Sequence, residues 1–282
     1  MGDTREPGEA LLERLAAAAN GHDLDGLVGC FAPGYRNETP AHPAQGFTGR
    51  DQVRRNWEQI FALMPDLTAT VLRSACDGDM VWSEWQMTGT RPDGIARDMF
   101  LSGGYADTTV AAIAAAARVS VETIYKGFGG KPGLVRAIVD KGLAGEGPIP
   151  AEQRSDHIRD TERDPRRILT AWGAFTAELA PGVAPILTLA RDAAASDPEV
   201  AVVVDQLSAA RLERMTVNAR GLAGAGHLRP GITPEQAADV LWAYSSPELY
   251  ELLVIRRGWP AERYGQFIAA ALRSALLPAQ DS

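Results

Sequence analysis

The sequence has few of the residues from which metal sites and disulfide frameworks are built. Its 282 residues include two cysteines and four histidines. Cys30 and Cys76 are far apart and form no CxxC pattern, which is typical of two reduced thiols in a cytoplasmic protein. The histidines and acids show no spacing typical of a metal site or a catalytic dyad. We therefore expect no metal, no cofactor and no catalytic residue.

Long apolar runs are also missing. No stretch approaches the roughly 18 uninterrupted apolar residues of a membrane span. The first residues, MGDTREPGEALLERL, are polar and acidic and do not resemble a signal peptide. We expect a cytoplasmic protein that does not bind membranes. With 45% hydrophobic residues, the chain can form two or three packed domains.

Positive charge is scarce, since the net charge is -8. Residues 1–95 carry 8 basic and 14 acidic side chains, a balance of -6, and residues 144–282 carry 14 and 18, a balance of -4. Residues 96–143 carry 6 and 4, a balance of +2. Only this middle segment is positive, so it is the part of the chain suited to a polyanion such as DNA.

Residues 1–94 predict a small α+β domain. Helical apolar stripes cover residues 7–20, 23–31 and 50–64, and an extended piece follows the second helix at 35–39. Two alternating runs, 67–76 and 80–90, flank Asp77-Gly78-Asp79, and an Asp-Gly between such runs is a strong hairpin signal. We expect a long antiparallel hairpin behind three helices.

This order of elements, together with the segments GFTGRDQVRRNW and MPDLTATV, resembles the SnoaL-like branch of the nuclear-transport-factor-like folds. The resemblance implies a cone-shaped domain that holds a small hydrophobic ligand or acts as a cyclase or isomerase. The family adds a further strand pair, whereas here Pro92-Asp93-Gly94 is predicted as a turn followed by helix. We therefore predict an incomplete sheet without enzymatic activity. Glu38, His42 and Glu84 are its candidate acid–base groups, but no spacing pairs them.

Residues 107–143 predict a helix-turn-helix. Val110, Ile113, Ala114 and Ala117 form one buried helical stripe. After only two residues Ser120 is placed to cap a second helix. Two short helices joined this tightly cross steeply, so the second can enter a DNA major groove.

The sequence IA, VS, TIY, F and K at fixed spacing from Ile113 to Lys131 resembles the TetR family of transcriptional regulators. The resemblance implies a DNA-binding domain over 95–143 that binds double-stranded DNA. It also implies that a set of polar and exposed residues faces the DNA. These residues are Thr109, Ser120, Val121, Glu122, Thr123, Tyr125, Lys126 and Lys131.

Three positions depart from that family's pattern. Residues 96–102 match only the second half of the family's first helix, so we predict a shortened helix. Arg118 occupies a turn position usually held by Gly, and Gly127 a helical position often held by His. Because both resemblances stop near residues 91–97, we hypothesise a fusion of two coding units with loss of sequence from each.

Residues 144–282 predict an all-α bundle. Proline-opened amphipathic helices are expected at 165–179, 181–196, 198–222, 234–246, 247–257 and 260–277. The closing stretch from Trp242 to Tyr264 resembles a variant of the TetR ligand-binding and dimerisation domain. That resemblance implies a homodimer through the last two helices, with contacts at 237–244, 249–254 and 267–276.

The bundle's large apolar side chains fit either ordinary core or the lining of a cavity for a small-molecule inducer. The candidates are Trp172, Phe175, Leu187, Met215 and Trp242. The chain is thus predicted to be a multidomain protein and a ligand-responsive repressor. The alternatives are a SnoaL-like cyclase, isomerase or binding domain tethered to a regulator, and a weakly functional fusion.

Overall fold

A computed structural model describes residues 7–38, 46–145 and 149–279. The chain divides into two compact units, one formed by Met1–Ile95 with Val110–Gly127 and the other by Ala96–Thr109 with Phe128–Ser282. His42 lies outside the described residues. The elements of the first unit are α1 (Pro7–Asn20), α2 (Leu24–Gly29), β1 (Arg36–Asn37), β2 (Phe47–Thr48), α3 (Arg50–Leu63), β3 (Thr68–Asp77), β4 (Met80–Thr88), α5 (Val110–Ala117) and α6 (Val121–Phe128).

The predicted hairpin is present. β3 pairs antiparallel with β4 through the turn at Gly78, whose φ of 60° suits a residue without a Cβ. β1 pairs antiparallel with β2, a short pairing that the sequence pattern did not indicate. Within the described residues these are two separate two-stranded sheets. No third strand joins either sheet among these residues.

The core of the first unit is small. It centres on short side chains and a few branched ones from α1, α2, α3 and β3, flanked by half-buried aromatics. Asn20 at the end of α1 fixes the edge of β3, because its side-chain amide donates to the carbonyl of Ala69 at 3.0 Å and accepts from that residue's N–H at 2.7 Å. The hairpin itself stays open to solvent. Its exposed apolar side chains are Leu72, Met80, Trp82 and Met87.

The second unit is a helical bundle with a larger core. Fifteen buried side chains from its long helices form one cluster. Its elements begin in α4 (Pro92–Gly103) and continue with α7 (Lys131–Ala144), α8 (Ala151–Thr161), α9 (Pro165–Ala194), α10 (Pro198–Gly224), α11 (Pro234–Tyr244), α12 (Pro247–Tyr250), a π-helical segment (Glu251–Arg256) and α13 (Ala261–Leu276). A capping box opens α11: the Thr233 hydroxyl accepts from the Gln236 N–H, and the Gln236 side chain accepts from the Thr233 N–H.

Two sequence-based expectations about proline are wrong. Pro92-Asp93-Gly94 is the first turn of α4 rather than a separate turn, since a proline at the start of a helix loses no hydrogen bond and an acid there suits the helix dipole. The helices expected at 165–179 and 181–196 are one helix, α9, which runs through Pro181 and Pro185.

One of the carbonyls left without a helical donor by the prolines of α9 has another donor. Pro185 has no N–H for the carbonyl of Pro181, and the Arg97 guanidinium donates to that carbonyl at 3.4 Å. By length and composition α9 is apolar enough to cross a membrane. Its buried residues, among them Ile168, Leu169 and Trp172, instead belong to the core of the bundle.

Candidate functional site

A sharp turn joins α5 to α6. Arg118 adopts a φ of 58°, in the left-handed region, so this position does require positive φ. The turn closes through the Val119 N–H, which donates to the carbonyl of Ala114 at 3.0 Å. The Ser120 hydroxyl then accepts from the Thr123 N–H at 2.9 Å and caps α6, as the sequence predicted.

The helix α6 has one buried and one exposed face. Ile124 is fully buried, whereas Val121 and Tyr125 are 42% and 55% exposed. Glu122 and Lys126 form an exposed ion pair one helical turn apart, with 2.7 Å between Oε1 and Nζ. The hydrogen bond from Lys126 holds the pKa of the Glu122 carboxyl below its ordinary value. Most predicted DNA-facing side chains therefore share one solvent-exposed helix.

Lys131, which follows α6 at the start of α7, is held differently. Its ammonium donates to the carbonyl of Tyr105 at 2.5 Å and lies 4.1 Å from the centre of the Tyr105 ring. Partial burial lowers the pKa of Lys131, while the charges of Asp197 and Asp107 oppose that shift. The ammonium also lies 3.5 Å from the carbonyl of Ala106, so two of its three N–H groups have carbonyl partners. Thr109 directly precedes α5.

The glycine near the end of α6 has a packing neighbour. A Cβ on Gly127 would lie 2.9 Å from Cδ2 of Leu63, the last residue of α3. The two residues belong to the same compact unit. The helix α3 therefore approaches α6 closely at Gly127. The sequence did not indicate this contact.

A cavity of about 400 Å³ lies inside the helical bundle. Four of the five predicted pocket residues line it, namely Trp172, Phe175, Leu187 and Met215. Most of the remaining wall is apolar and comes from α7, α9, α10, α11 and α13. The volume and composition are typical of small-molecule sites.

Trp242 lines a second cavity beside the first. Leu187, Leu207 and Arg211 belong to both linings, so the two cavities share a wall. Trp242, the fifth predicted residue, is thus near the first cavity without lining it.

Polar groups interrupt the apolar wall of the first cavity. Arg211, Asn218 and the indole of Trp172 all line it. Sequence reasoning missed Arg211 and Asn218, although a signal was present. Arg211 lies four residues from both Leu207 and Met215, so it interrupts an apolar helical stripe, and Asn218 continues that stripe.

The family comparison concerns the first part of the chain. A sequence model described as a SnoaL-like domain matches residues 12–123. The matched range covers less than half of the chain and passes the boundary predicted at residue 94. It runs through α5 into the first residues of α6. No curated protein matches the sequence.

Solved structures resemble about two thirds of the chain. NalD of Pseudomonas aeruginosa, the secondary repressor of the MexAB-OprM multidrug efflux pump, aligns with a TM-score of 0.53 and 19% identity, over 67% of this chain and 96% of NalD. The SmeT–triclosan complex aligns with a TM-score of 0.52 and 21% identity, over 66% and 90%. FadR of Bacillus halodurans, a fatty acid degradation regulator, aligns with a TM-score of 0.52 and 16% identity, over 64% and 92%. At these identities the matches establish a shared fold. The larger part of the chain therefore shares the fold of these three proteins.

Proposed function

We propose that the chain is a sequence-specific DNA-binding regulator that responds to a small ligand and represses transcription as a homodimer. The observation that carries this proposal is α6, a capped helix after a tight turn whose polar side chains are open to solvent. The shared fold with TetR-family regulators supports it. Two copies of α6 on a dimer would occupy successive major grooves of a palindromic operator, about 34–36 Å apart.

Individual residues of α6 have separate roles in this proposal. Lys126 is suited to guanine O6 and N7, and the Thr123 methyl group to thymine. Tyr125 and Thr109 are suited to phosphate oxygens, which position the protein without reading sequence. Lys126 is paired with Glu122, so binding DNA exchanges an exposed ion pair for a base contact. An exposed ion pair contributes little to stability, so its loss on binding DNA costs little.

Apolar side chains near the end of the chain support dimerisation. Leu252, Ile255 and Phe267 are 49%, 55% and 37% exposed. Most other apolar residues of α13, such as Ile268 and Leu272, are buried in the core of their own bundle. In the proposed homodimer the contact therefore falls on the exposed residues of the π-helical segment and α13 rather than on the whole predicted stretch.

The cavity supplies the proposed response. A ligand that binds better when the two α6 helices are at the wrong spacing shifts the population toward that state and releases the operator. Its effect is limited by its difference in affinity for the two states. The cavity residues contributed by α7, α9 and α10 would carry that difference.

A DNA selection with the purified full chain tests the proposal. We expect enrichment of a palindrome, and we expect Lys126→Ala to weaken binding to it and to relax the base preference at the position that Lys126 contacts. Lys141→Ala, which removes the same charge from α7, is the matched control. If nothing is enriched at low salt, the regulator proposal fails and the weakly functional fusion becomes the better reading.

The N-terminal region is proposed to be an accessory binding module without catalytic activity. The SnoaL-like match favours a module for apolar ligands, and aromatic side chains such as Trp57 and Phe61 remain half-buried around its core. Its candidate acids are engaged elsewhere: Glu84 pairs with Arg73 at 2.5 Å and Glu38 with Arg36 at 3.0 Å. Binding of a naphthalene sulfonate dye should weaken in Trp57→Ala. An unchanged dye affinity would contradict a site there.

A further inference from the structure

The first cavity, which Trp172 and Phe175 line, contains a positive charge that no carboxylate of the described residues neutralises directly. Arg211 of α10 is half-buried and lines both cavities. Its Nη1 donates to the carbonyl of Trp242 and to the Ser245 hydroxyl, the latter at 3.1 Å. Its guanidinium carbon lies 4.6 Å from the centre of the Trp242 ring. These contacts fix the plane of the guanidinium but supply no counter-ion.

The nearest acid is committed to another arginine. Glu248 pairs with Arg191 rather than with Arg211, and only its longer-range charge acts on Arg211. Burial lowers the pKa of the Arg211 guanidinium, which nevertheless stays charged because arginine does not deprotonate in proteins. A desolvated charge without a paired anion is unfavourable. An anion from outside would remove that cost.

The other basic residues of the wall are satisfied within the protein. Arg214 pairs with Asp156 at 2.8 Å and with Glu152 at 3.4 Å. Arg136 donates to the side-chain carbonyl of Gln206. Of these three arginines, Arg211 alone is held only by a backbone carbonyl, a hydroxyl and an aromatic ring. A single negative charge on the ligand would balance it.

A second unsatisfied donor lies in the same wall. Nε1 of Trp172 is buried, and among the described residues it has no hydrogen-bond partner. Because that atom has almost no accessible surface, Trp172 offers a ligand its ring rather than its N–H. Asn218, only 4% exposed, also lines the cavity. The rest of the surface is largely apolar and suits a hydrocarbon body.

We propose that the cavity binds an amphipathic monocarboxylate, with its carboxylate on the Arg211 guanidinium and its apolar body against Trp172, Phe175 and Met215. The planar guanidinium fork matches a carboxylate in geometry as well as in charge. A dianionic phosphate would carry one negative charge more than Arg211 can balance. The inference deepens the proposed function by naming its ligand class, and it rests on that function for the regulatory consequence of binding.

Calorimetric titration of the full chain with decanoate, 1-decanol and decyl phosphate tests the ligand class. Decanoate is expected to bind at least about tenfold more tightly than the alcohol, which corresponds to about 1.4 kcal/mol. Decyl phosphate is expected to bind more weakly than decanoate. Undetectable decanoate binding, equal binding of the alcohol, or tighter binding of the phosphate would each overturn the proposal.

Arg211 variants locate the head group. Arg211→Gln should weaken decanoate binding about tenfold or more and leave decanol binding unchanged, since only the charged contact is removed. Arg220→Gln, which removes the same charge from an exposed position of α10 outside both linings, is the matched control and should leave both affinities unchanged. If Arg211→Gln does not fold, Arg211→Lys, which keeps the charge but loses the planar fork, should still weaken decanoate binding severalfold. Unchanged decanoate affinity in the folded variant would place the head group elsewhere.

The two proposals fail separately. Decanoate binding that depends on Arg211, without any selected DNA site, supports the ligand class and removes the regulator. A selected palindrome that the protein binds, without decanoate binding, supports the regulator and removes the ligand class.

Discussion

The two compact units of this chain use apolar side chains in opposite ways. In the helical bundle they form one cluster of fifteen buried residues, and Leu169, Ile168 and Leu276 are within 1% of full burial. In the α+β unit the long hairpin leaves Met80 and Trp82 more than half exposed. A helix can bury its apolar stripe against its neighbours alone, whereas a hairpin needs further strands or a covering layer.

The difference shows where stability resides. The bundle contains its own complete core, while the hairpin has no strand partner beyond its own second strand among the described residues. Exposed hairpin edges and apolar faces are open to other chains. Substitutions of the same kind in each unit test this contrast.

The largest effect is expected from truncating a buried leucine of the bundle. Leu169→Ala should lower the free energy of unfolding of the bundle by about 3 to 5 kcal/mol, because the fully buried side chain leaves a cavity. Leu72→Ala, the same change at a 50% exposed position of the hairpin, should cost about 1 kcal/mol or less. Urea titration of both variants measures the difference. Similar losses in the two variants would show that the hairpin is covered in solution.

A smaller loss is expected where two helices of the bundle meet through glycine. A Cβ on Gly173 of α9 would lie 2.6 Å from the carbonyl oxygen of Gly265 and 2.9 Å from the backbone nitrogen of Ala269, both in α13. Backbone atoms cannot move aside, so Gly173→Ala should destabilise the bundle by about 1 to 3 kcal/mol despite the better helix propensity of alanine. Differential scanning calorimetry measures this.

Gly224→Ala is the control, since a Cβ there meets nothing within 4 Å at the end of α10. It should leave the transition temperature nearly unchanged. A loss in Gly224→Ala as large as that in Gly173→Ala would contradict the close approach of α9 and α13.

Relief of backbone strain should stabilise the first unit. Arg118 adopts positive φ, which costs an L-residue roughly 1 to 2 kcal/mol. Arg118→Gly removes that cost but makes the unfolded chain more flexible, so a net gain of about 0.5 to 1 kcal/mol is expected. Arg118→Ala keeps the strain and should show no gain. Chemical unfolding monitored by circular dichroism separates the two variants.

These contrasts also show what the sequence could predict. The hairpin and the capped α6 follow from local rules about turns and caps, and the structure has both. The cavity was predicted in part, because large apolar residues at helical spacing mark an inward face without telling core from cavity lining. Trp242 is an example, since it was predicted to line the first cavity and lines the neighbouring one instead.

What the sequence could not predict depends on distant partners. At Pro185 the helix α9 leaves the carbonyl of Pro181 without its helical donor, and Arg97, far away in sequence, donates to that carbonyl instead. The pairing of β1 with β2 joins two-residue strands that are too short for a periodic signal. The role of Arg211 depends on which acids lie within reach, and Glu248 pairs with a different arginine. Such facts arise from tertiary packing, and no local pattern contains them.

The smallest effect is expected from Gly127→Ala in α6. Its new Cβ would lie 2.9 Å from Cδ2 of Leu63, but that atom is the far end of a flexible side chain and can rotate away. The better helix propensity of alanine, worth up to about 1 kcal/mol, then largely offsets the displaced contact. The free energy of unfolding should change by only a few tenths of a kcal/mol, much less than in Gly173→Ala.

The double variant Gly127→Ala, Leu63→Ala shows whether the contact is present in solution. If Leu63 touches α6, the two changes are coupled, and the gain from alanine should be larger once the leucine is shortened. Strict additivity of the two free energies would mean that α3 does not pack on α6. Leu63 of the α+β region would then make no direct contact with α6, the helix that is proposed to read DNA.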